Sequence, residues 1–310
     1  MRKPSLLVFI LMLLILLSIG LILAARIPRA IDLAAQAMRF DGQRAMADVV
    51  HQVNLGARIP GSQAHAEAVQ WILEELEKAG WSTEVQDSVP LGHQTRNIIG
   101  KLGQGKPITI LGAHYDSRLL ADQDPVYANR KQPVPGANDG ASGVAVLLEL
   151  ARVLPSRISQ SHSEVSSISG QIWLVFFDME DNGKIAGWDW CLGSQEFVRG
   201  LSERPNRAVI IDMVGDANLN IYMEKNSDPV LNRQIWSTAQ RLGFSSTFLS
   251  RYKYAILDDH LAFLRAGIPA VDIIDMDYPF WHTTSDTADK VSASSLEIVG
   301  TTLLAWLVQE

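Results

Sequence analysis

Five short segments carrying acids and histidines, each next to an apolar run, hold the chemistry that is legible in this chain. His114-Tyr115-Asp116 follows the apolar residues 108–113, Asn138-Asp139-Gly140 opens a helix-like stretch, and Glu180-Asp181 follows residues 172–177. Asp212 closes residues 208–211, and Trp281-His282-Thr283 comes near the end. Zinc takes neutral imidazoles and carboxylates at about 2 Å, from a scaffold rigid enough to fix their directions. Strand ends of an α/β sheet supply that rigidity, and ligands gather at the carboxyl edge. The order and placement of the five segments point to a metalloenzyme with an acid-and-histidine site.

Taken singly, each segment also has a plainer reading. His114 and Asp116 share one face of an extended segment, because alternate residues do, and that spacing is common by chance. Asp139 could cap the helix that follows, worth roughly 1 kcal/mol, although its flanking glycines also let the backbone approach a ligand closely. Glu180 and Asp181 repel each other after a buried strand unless a cation compensates, or they belong to a solvated loop with Asn182 and Gly183. Asp212, between Ile211 and Met213, would be expensive to bury unpaired. His282 could lie at the surface, and Asp258-Asp259-His260 could be an ordinary acidic helix start. His51, His65, His93 and His162 have no such neighbours and read as surface or structural.

The elements that must position these groups follow from periodicity. Residues 45–53 and 64–79 have helical spacing, with Ala68, Ile72, Leu73, Leu76 and Ala79 on one face. Ser62, at the end of the turn Arg58-Ile59-Pro60-Gly61-Ser62, is the N-cap candidate, and Gly80 ends the helix. Strands are expected at 82–86, 96–102, 108–113, 172–177, 208–211 and 270–274, with helices at 140–154, 193–199, 229–242, 259–266 and 292–308. Residues 118–137 form a loop, and the serine-rich residues 155–170 read as a flexible surface insertion. Strands alternating with helices imply an α/β fold with a largely parallel sheet covered on both faces.

Composition narrows the class. The chain has 310 residues, 47% of them apolar, enough for a sizeable core, and a formal charge of −7. Without its first 25 residues it holds 25 bases against 34 acids, which argues against a nucleic-acid partner. Cys191 is the one cysteine, so an intrachain disulfide and cysteine-rich zinc sites are excluded. Arg2 and Lys3 precede an uncharged apolar run at residues 5–25, followed by Arg26 and Arg29. That run is long enough to span a bilayer. A cleaved signal peptide competes with a membrane anchor, but its apolar region would be long, and Ile22 and Leu23 stand where a small residue is preferred. The expected division is an anchor or signal segment at 1–29, a tether at 30–42 and a catalytic domain at 43–310. The catalytic part is expected outside the cytoplasm, membrane-anchored or secreted.

As a set, Gly112-Ala113-His114-Tyr115-Asp116-Ser117, Gly136-Ala137-Asn138-Asp139-Gly140-Ala141-Ser142-Gly143, Phe176-Phe177-Asp178-Met179-Glu180-Asp181, Asp212-Met213 and Trp281-His282-Thr283 resemble the zinc aminopeptidase and glutaminyl cyclase family. The resemblance runs from about Gln43 to the C-terminus. It implies a phosphorylase/hydrolase-like three-layer sandwich, with a mixed, mostly parallel central sheet and helices on both faces. The turn at Arg58–Ser62 matches the family's early substrate-side turn. In the aminopeptidase branch, positions matching His114, Asp139, Asp181, Asp212 and His282 hold two zinc ions, with Asp139 bridging. Glu180 matches the general base and Asp116 the acid that orients His114. Asp181 stands where glutamate is commoner, a shorter arm carrying the same carboxylate.

In the cyclase branch one zinc is held at positions matching Asp139, Asp181 and His282. Glu180 there matches the proton shuttle, Asp212 and Asp258 the hydrogen-bonding acids, and Trp281 a wall of the glutamine pocket. The run from Asp258 to Pro269, followed by Phe280-Trp281-His282-Thr283, looks more like this branch. The resemblance therefore implies a zinc-dependent glutaminyl-peptide cyclotransferase that converts N-terminal glutamine to pyroglutamate and releases ammonia. A two-zinc aminopeptidase acting on the same peptide or protein N-termini is the alternative. The loops at 118–137 and 182–192 shape the pocket, and Trp188 and Trp190 read either as its aromatic wall or as core or surface residues.

Overall fold

Side chains that alternate between two apolar layers build the central sheet. The computed structural model describes residues 39–158 and 170–309. The strands are β1 (Ser82–Ser88), β2 (Thr95–Gly103), β3 (Ile108–His114), β4 (Gln171–Phe177), β5 (Arg207–Asp212), β6 (Ile221–Met223), β7 (Phe248–Tyr252) and β8 (Ala270–Ile274). The helices are α1 (Gly42–Leu55), α2 (Gln63–Lys78), α3 (Ala141–Ile158), α4 (Leu192–Arg199), α5 (Pro229–Arg241), α6 (His260–Arg265) and α7 (Ala293–Gln309). The main sheet has the order β1-β2-β4-β3-β5-β8. β4, β3, β5 and β8 run parallel, while β1 and β2 are antiparallel additions at one edge.

On β4, Ile172, Leu174 and Phe176 enter one apolar layer, and Trp173, Val175 and Phe177 enter the other. On β5, Val209 and Ile211 join the first, Ala208 and Ile210 the second. This period of two is what a strand buried on both faces must show. The first layer is shared with α1, α3 and α7, which pack on one another, and the second with α4 and α6, which also pack together. Each buried Leu, Ile or Phe contributes about 1.5–3 kcal/mol, so both faces hold the sheet rigid. The result is a three-layer α/β sandwich with a mixed, mostly parallel sheet.

Local signals work where expected. Ser62 Oγ accepts from His65 N at 3.1 Å to cap α2, and Gly80 takes a left-handed φ of +83° just past its end. One boundary differs. The proline at 155 suggests that α3 stops at Leu154, yet the helix continues to Ile158 with Pro155 inside. Proline has no N–H for the carbonyl four residues back, Ala151 O, and the indole of Trp81 donates to that carbonyl at 2.9 Å instead. A partner distant in sequence thus offsets the lost bond. The short parallel pair β6-β7 has too few residues to stand out as a sequence pattern.

The apolar run at 5–25 and most of the serine-rich insertion lie outside the described residues. Among the described residues no helix is long and apolar enough to cross a membrane.

Candidate metal centre

The carboxyl ends of the parallel strands converge on one cavity of about 530 Å³. His114 is the last residue of β3 and Asp212 the last of β5. Glu180 and Asp181 follow just beyond the end of β4, Asp139 stands in the turn before α3, and His282 comes from the loop after β8. Asp139, Glu180, Asp181, Asp212, Asp258 and His282 all line the cavity, with Trp281 beside them. His114 lies beneath, 1% exposed.

Two sets of donors meet there and share one carboxylate. His114 Nε2 is 3.1 Å from Asp139 Oδ1 and 3.2 Å from Asp212 Oδ1. His282 Nε2 is 2.7 Å from Asp181 Oδ1 and 3.7 Å from Asp139 Oδ2. Two donors each about 2 Å from one zinc at a tetrahedral angle are roughly 3.3 Å apart, so both sets have the spacing a dication needs. Asp139 Oδ2 and Asp181 Oδ2 are buried without a hydrogen-bond partner. Such oxygens are costly to leave bare, and their presence within the donor cluster is what a metal would relieve. The donors are imidazole and carboxylate, which suits zinc.

Backbone geometry explains why these residues reach one point. Gly140 packs so closely on His114 that an added Cβ would come within 2.4 Å of its carbonyl oxygen and 2.6 Å of its ring. A side chain there would push the start of α3, and Asp139 with it, off β3. Asp116 accepts from Glu180 N at 3.1 Å and Asp181 N at 3.3 Å, and faces His114 Nδ1 at 3.3 Å. One buried carboxylate therefore orients an imidazole and pins the acidic loop. Asp286 accepts from Asn138 N at 2.9 Å and Asp139 N at 3.2 Å, and from the Tyr278 hydroxyl at 2.6 Å.

The electrostatics follow from burying many acids together. Burial pushes the Glu180 carboxyl well above its usual range, with Asp181, Asp258 and Asp259 adding to the rise and His114 opposing it. Burial likewise takes Asp212 to about 7, and burial with the Asp139 charge takes Asp181 to about 6. Asp139 goes the other way, because His114, with His282 and Arg118, outweighs its burial. His282 rises to about 9 although burial disfavours its cation, since Asp181, Asp122 and Asp139 surround it.

Toward the substrate side, Glu180, Cys191 and Asp258 bring donor atoms within 4.8 Å of one another. Cys191 Sγ donates to Glu180 Oε1 at 3.4 Å. Trp281 stacks on His282 with centroids 3.7 Å apart. Of the two tryptophans whose place was open, Trp190 lines the cavity, while Trp188 stacks on His93 at 3.6 Å.

The structure thus brings together the nine residues expected to act at the site: His114, Asp116, Asp139, Glu180, Asp181, Asp212, Asp258, Trp281 and His282. The turn at residues 58–62 is different, since none of it lines the cavity. Arg58 is instead fully buried and donates to the carbonyls of Tyr115, Pro135 and Gly136, supporting the site from behind. His65 is structural, paired with Asp178 at 2.8 Å, and His162 lies outside the described residues. Sequence reasoning missed Arg118, Asp122, Cys191 and Asp286. Arg118 and Asp122 are four apart in a loop rather than a helix, so their spacing carried no signal.

Comparison with known proteins agrees with this geometry. The profile of peptidase family M28 matches residues 97–307. A leucine aminopeptidase precursor from Bacteroides thetaiotaomicron is 33% identical, with a TM-score of 0.80 over 88% of this chain and 98% of that one. A glutaminyl cyclase from the same organism, solved with N-acetylhistamine, is also 33% identical, with a TM-score of 0.79 over 88% of this chain and 99% of that one. A glutaminyl-peptide cyclotransferase of Boiga irregularis is 26% identical over 293 residues, covering 81% of this chain and 76% of its own length.

Proposed function

The chain belongs to peptidase family M28, and from that premise we propose that it is a zinc-dependent glutaminyl-peptide cyclotransferase. The observation that carries this reading is the wall of acids on the substrate side. Glu180 and Asp258 bring oxygens within 4.8 Å of each other, both face the cavity with Asp212, and aromatic and apolar groups flank them. Both reactions take a proton from a nucleophile and return it to a leaving nitrogen, but in cyclisation nucleophile and leaving group belong to one residue that must fold back on itself. A cluster of acids beside Glu180 suits holding the α-amine in that folded position.

Asp139, Asp181 and His282 would hold the zinc, whose chemistry there is to polarise the γ-carboxamide carbonyl of an N-terminal glutamine. Trp281 and Trp190 confine the side chain. Glu180 takes a proton from the α-amine as its nitrogen bonds to the carbonyl carbon of that carboxamide. It then returns that proton to the departing nitrogen, which leaves as ammonia when the C–N bond breaks. The raised affinity of Glu180 for protons suits both steps. Asp258 and Asp212 hold the amine in place. No water is consumed, so the apolar and aromatic lining, which limits water beside the acids, favours this outcome.

A second reading has its own support. His114, Asp139 and Asp212 are spaced for another dication, and with Asp139 bridging the site would suit a two-zinc aminopeptidase using Glu180 to activate water. Mass spectrometry on zinc-loaded protein lacking residues 1–29, given one peptide beginning with glutamine and one with leucine, separates the two. Loss of ammonia from the first with the second intact supports cyclisation. Removal of the leucine overturns it in favour of hydrolysis. Residues 5–25 are proposed to place the domain outside the cytoplasm, as an anchor or a cleaved signal. Recovery of the full-length chain in the cytosol would exclude both.

A further inference from the structure

Residues 118–124 line no part of the cavity, yet they hold His282 at two points and Thr284, two residues on, at a third. His282 Nδ1 faces Asp122 Oδ1 at 3.5 Å, on the opposite side of the ring from Asp181 and Asp139. The backbone N–H of Gln123 donates to the His282 carbonyl at 3.2 Å. Asp124 Oδ2 accepts from Thr284 N at 3.0 Å and from the Thr284 hydroxyl at 2.6 Å. His282 has a φ of +55°, a left-handed conformation that a residue with a side chain keeps only when its surroundings over-determine it. These contacts are those surroundings.

Arg118 makes the grip rigid. Its guanidinium is 1% exposed and meets Asp122 as a fork, Nε to Oδ1 at 2.9 Å and Nη2 to Oδ2 at 2.7 Å. Its other edge donates to the carbonyl of Asp181 at 2.7 Å and of Gly183 at 3.2 Å. The cation also lies 5.1 Å from the centroid of the Trp190 ring. A buried guanidinium is expensive unless its donors are used, and here they tie together the Asp181 loop, the carboxylate behind His282 and an aromatic wall of the cavity. A surface ion pair would show neither this burial nor this convergence.

We propose that Arg118 and Asp122 are positioning residues of the metal centre, setting the direction and tautomer of His282 and locking it in register with Asp181. This rests on the reading of His282 as a metal ligand. Asp122 keeps the proton on Nδ1, which leaves the Nε2 lone pair free for the ion. Arg118 fixes Asp122 and the Asp181 backbone together, so one side chain sets the distance between two donors. Lysine cannot replace it, because a point charge has no planar fork.

The test is zinc affinity of the full chain, measured by competition with a chromophoric chelator, together with the visible spectrum of the cobalt-substituted protein. Asp122 is 38% exposed, so Asp122→Asn leaves the fold intact and should lower zinc affinity about 10–100-fold while altering the cobalt spectrum. Asp122→Glu should restore much of the affinity, and Arg118→Lys should fail to keep it. Wild-type affinity and spectrum in Asp122→Asn would overturn the proposal. His282→Ala is measured alongside. If it loses zinc while Asp122→Asn does not, the positioning role alone is wrong. If His282→Ala itself binds zinc normally, the reading of His282 as a ligand falls.

Discussion

The two imidazoles of the site are each backed by an aspartate, but they are built in opposite ways. His114 ends a central strand, and its partner Asp116 is fully buried and accepts from backbone N–H groups of the neighbouring loop. His282 stands in a loop, in a left-handed conformation, and its partner Asp122 is partly open to solvent. The sheet makes the first end, and loop-to-loop contacts make the second. A strand end is fixed by the whole core, so its accuracy is distributed over many residues. A loop end depends on a few named contacts and should respond sharply to single substitutions.

The largest effect should come from the acid that both ends serve. Glu180→Gln is expected to lower turnover about 10²–10⁴-fold with zinc content unchanged, read from product formation and metal analysis of the same sample. Next come the imidazoles. Under the cyclase reading His282→Ala should lose the zinc, exceeding the about 10–100-fold that outer partners typically contribute, while His114→Ala still binds one zinc per chain. Equal losses in both would erase the distinction and favour the two-zinc alternative.

A smaller effect is pH dependence. In the metal-free site the surrounding carboxylates hold His282 up at about 9, so zinc bound through its Nε2 at pH 7 displaces a proton. Affinity should therefore rise from pH 6 to 9, by up to about tenfold per pH unit for each proton released. Calorimetry in two buffers of different ionisation heat should record proton release, and none would contradict the assignment. Smallest is Trp81→Phe, which strips the Ala151 carbonyl of its donor. It should cost about 1–3 kcal/mol in denaturant unfolding with zinc affinity unchanged, because α3 is held at its other end by the core.

The same contrast separates what the sequence made legible from what it did not. The strands ending in His114 and Asp212, and the acids beyond β4, were visible because apolar runs announce buried strands and polar residues at their ends stand out. Asp258 and Trp281 were reached through family resemblance, since nothing in their own spacing assigns them. Arg118, Asp122 and Asp286 were invisible, because each acts on a residue more than 60 positions away through loop geometry that no period encodes. The continuation of α3 past Pro155 failed for the same reason, its compensating donor lying 70 residues upstream of Ala151.

Asp139 turns one oxygen toward His114 and the other toward His282. A carboxylate divided in this way makes the two donor sets thermodynamically dependent. A dication held on one side draws on the shared charge and repels a second dication across the bridge, so stepwise binding would be anticooperative, and reciprocally so. The number of ions per molecule would then be a function of free metal concentration rather than a constant of the chain. Were both sets to fill, a window between the two binding steps would let a different metal be placed in the weaker position, giving a mixed-metal protein whose halves report separately.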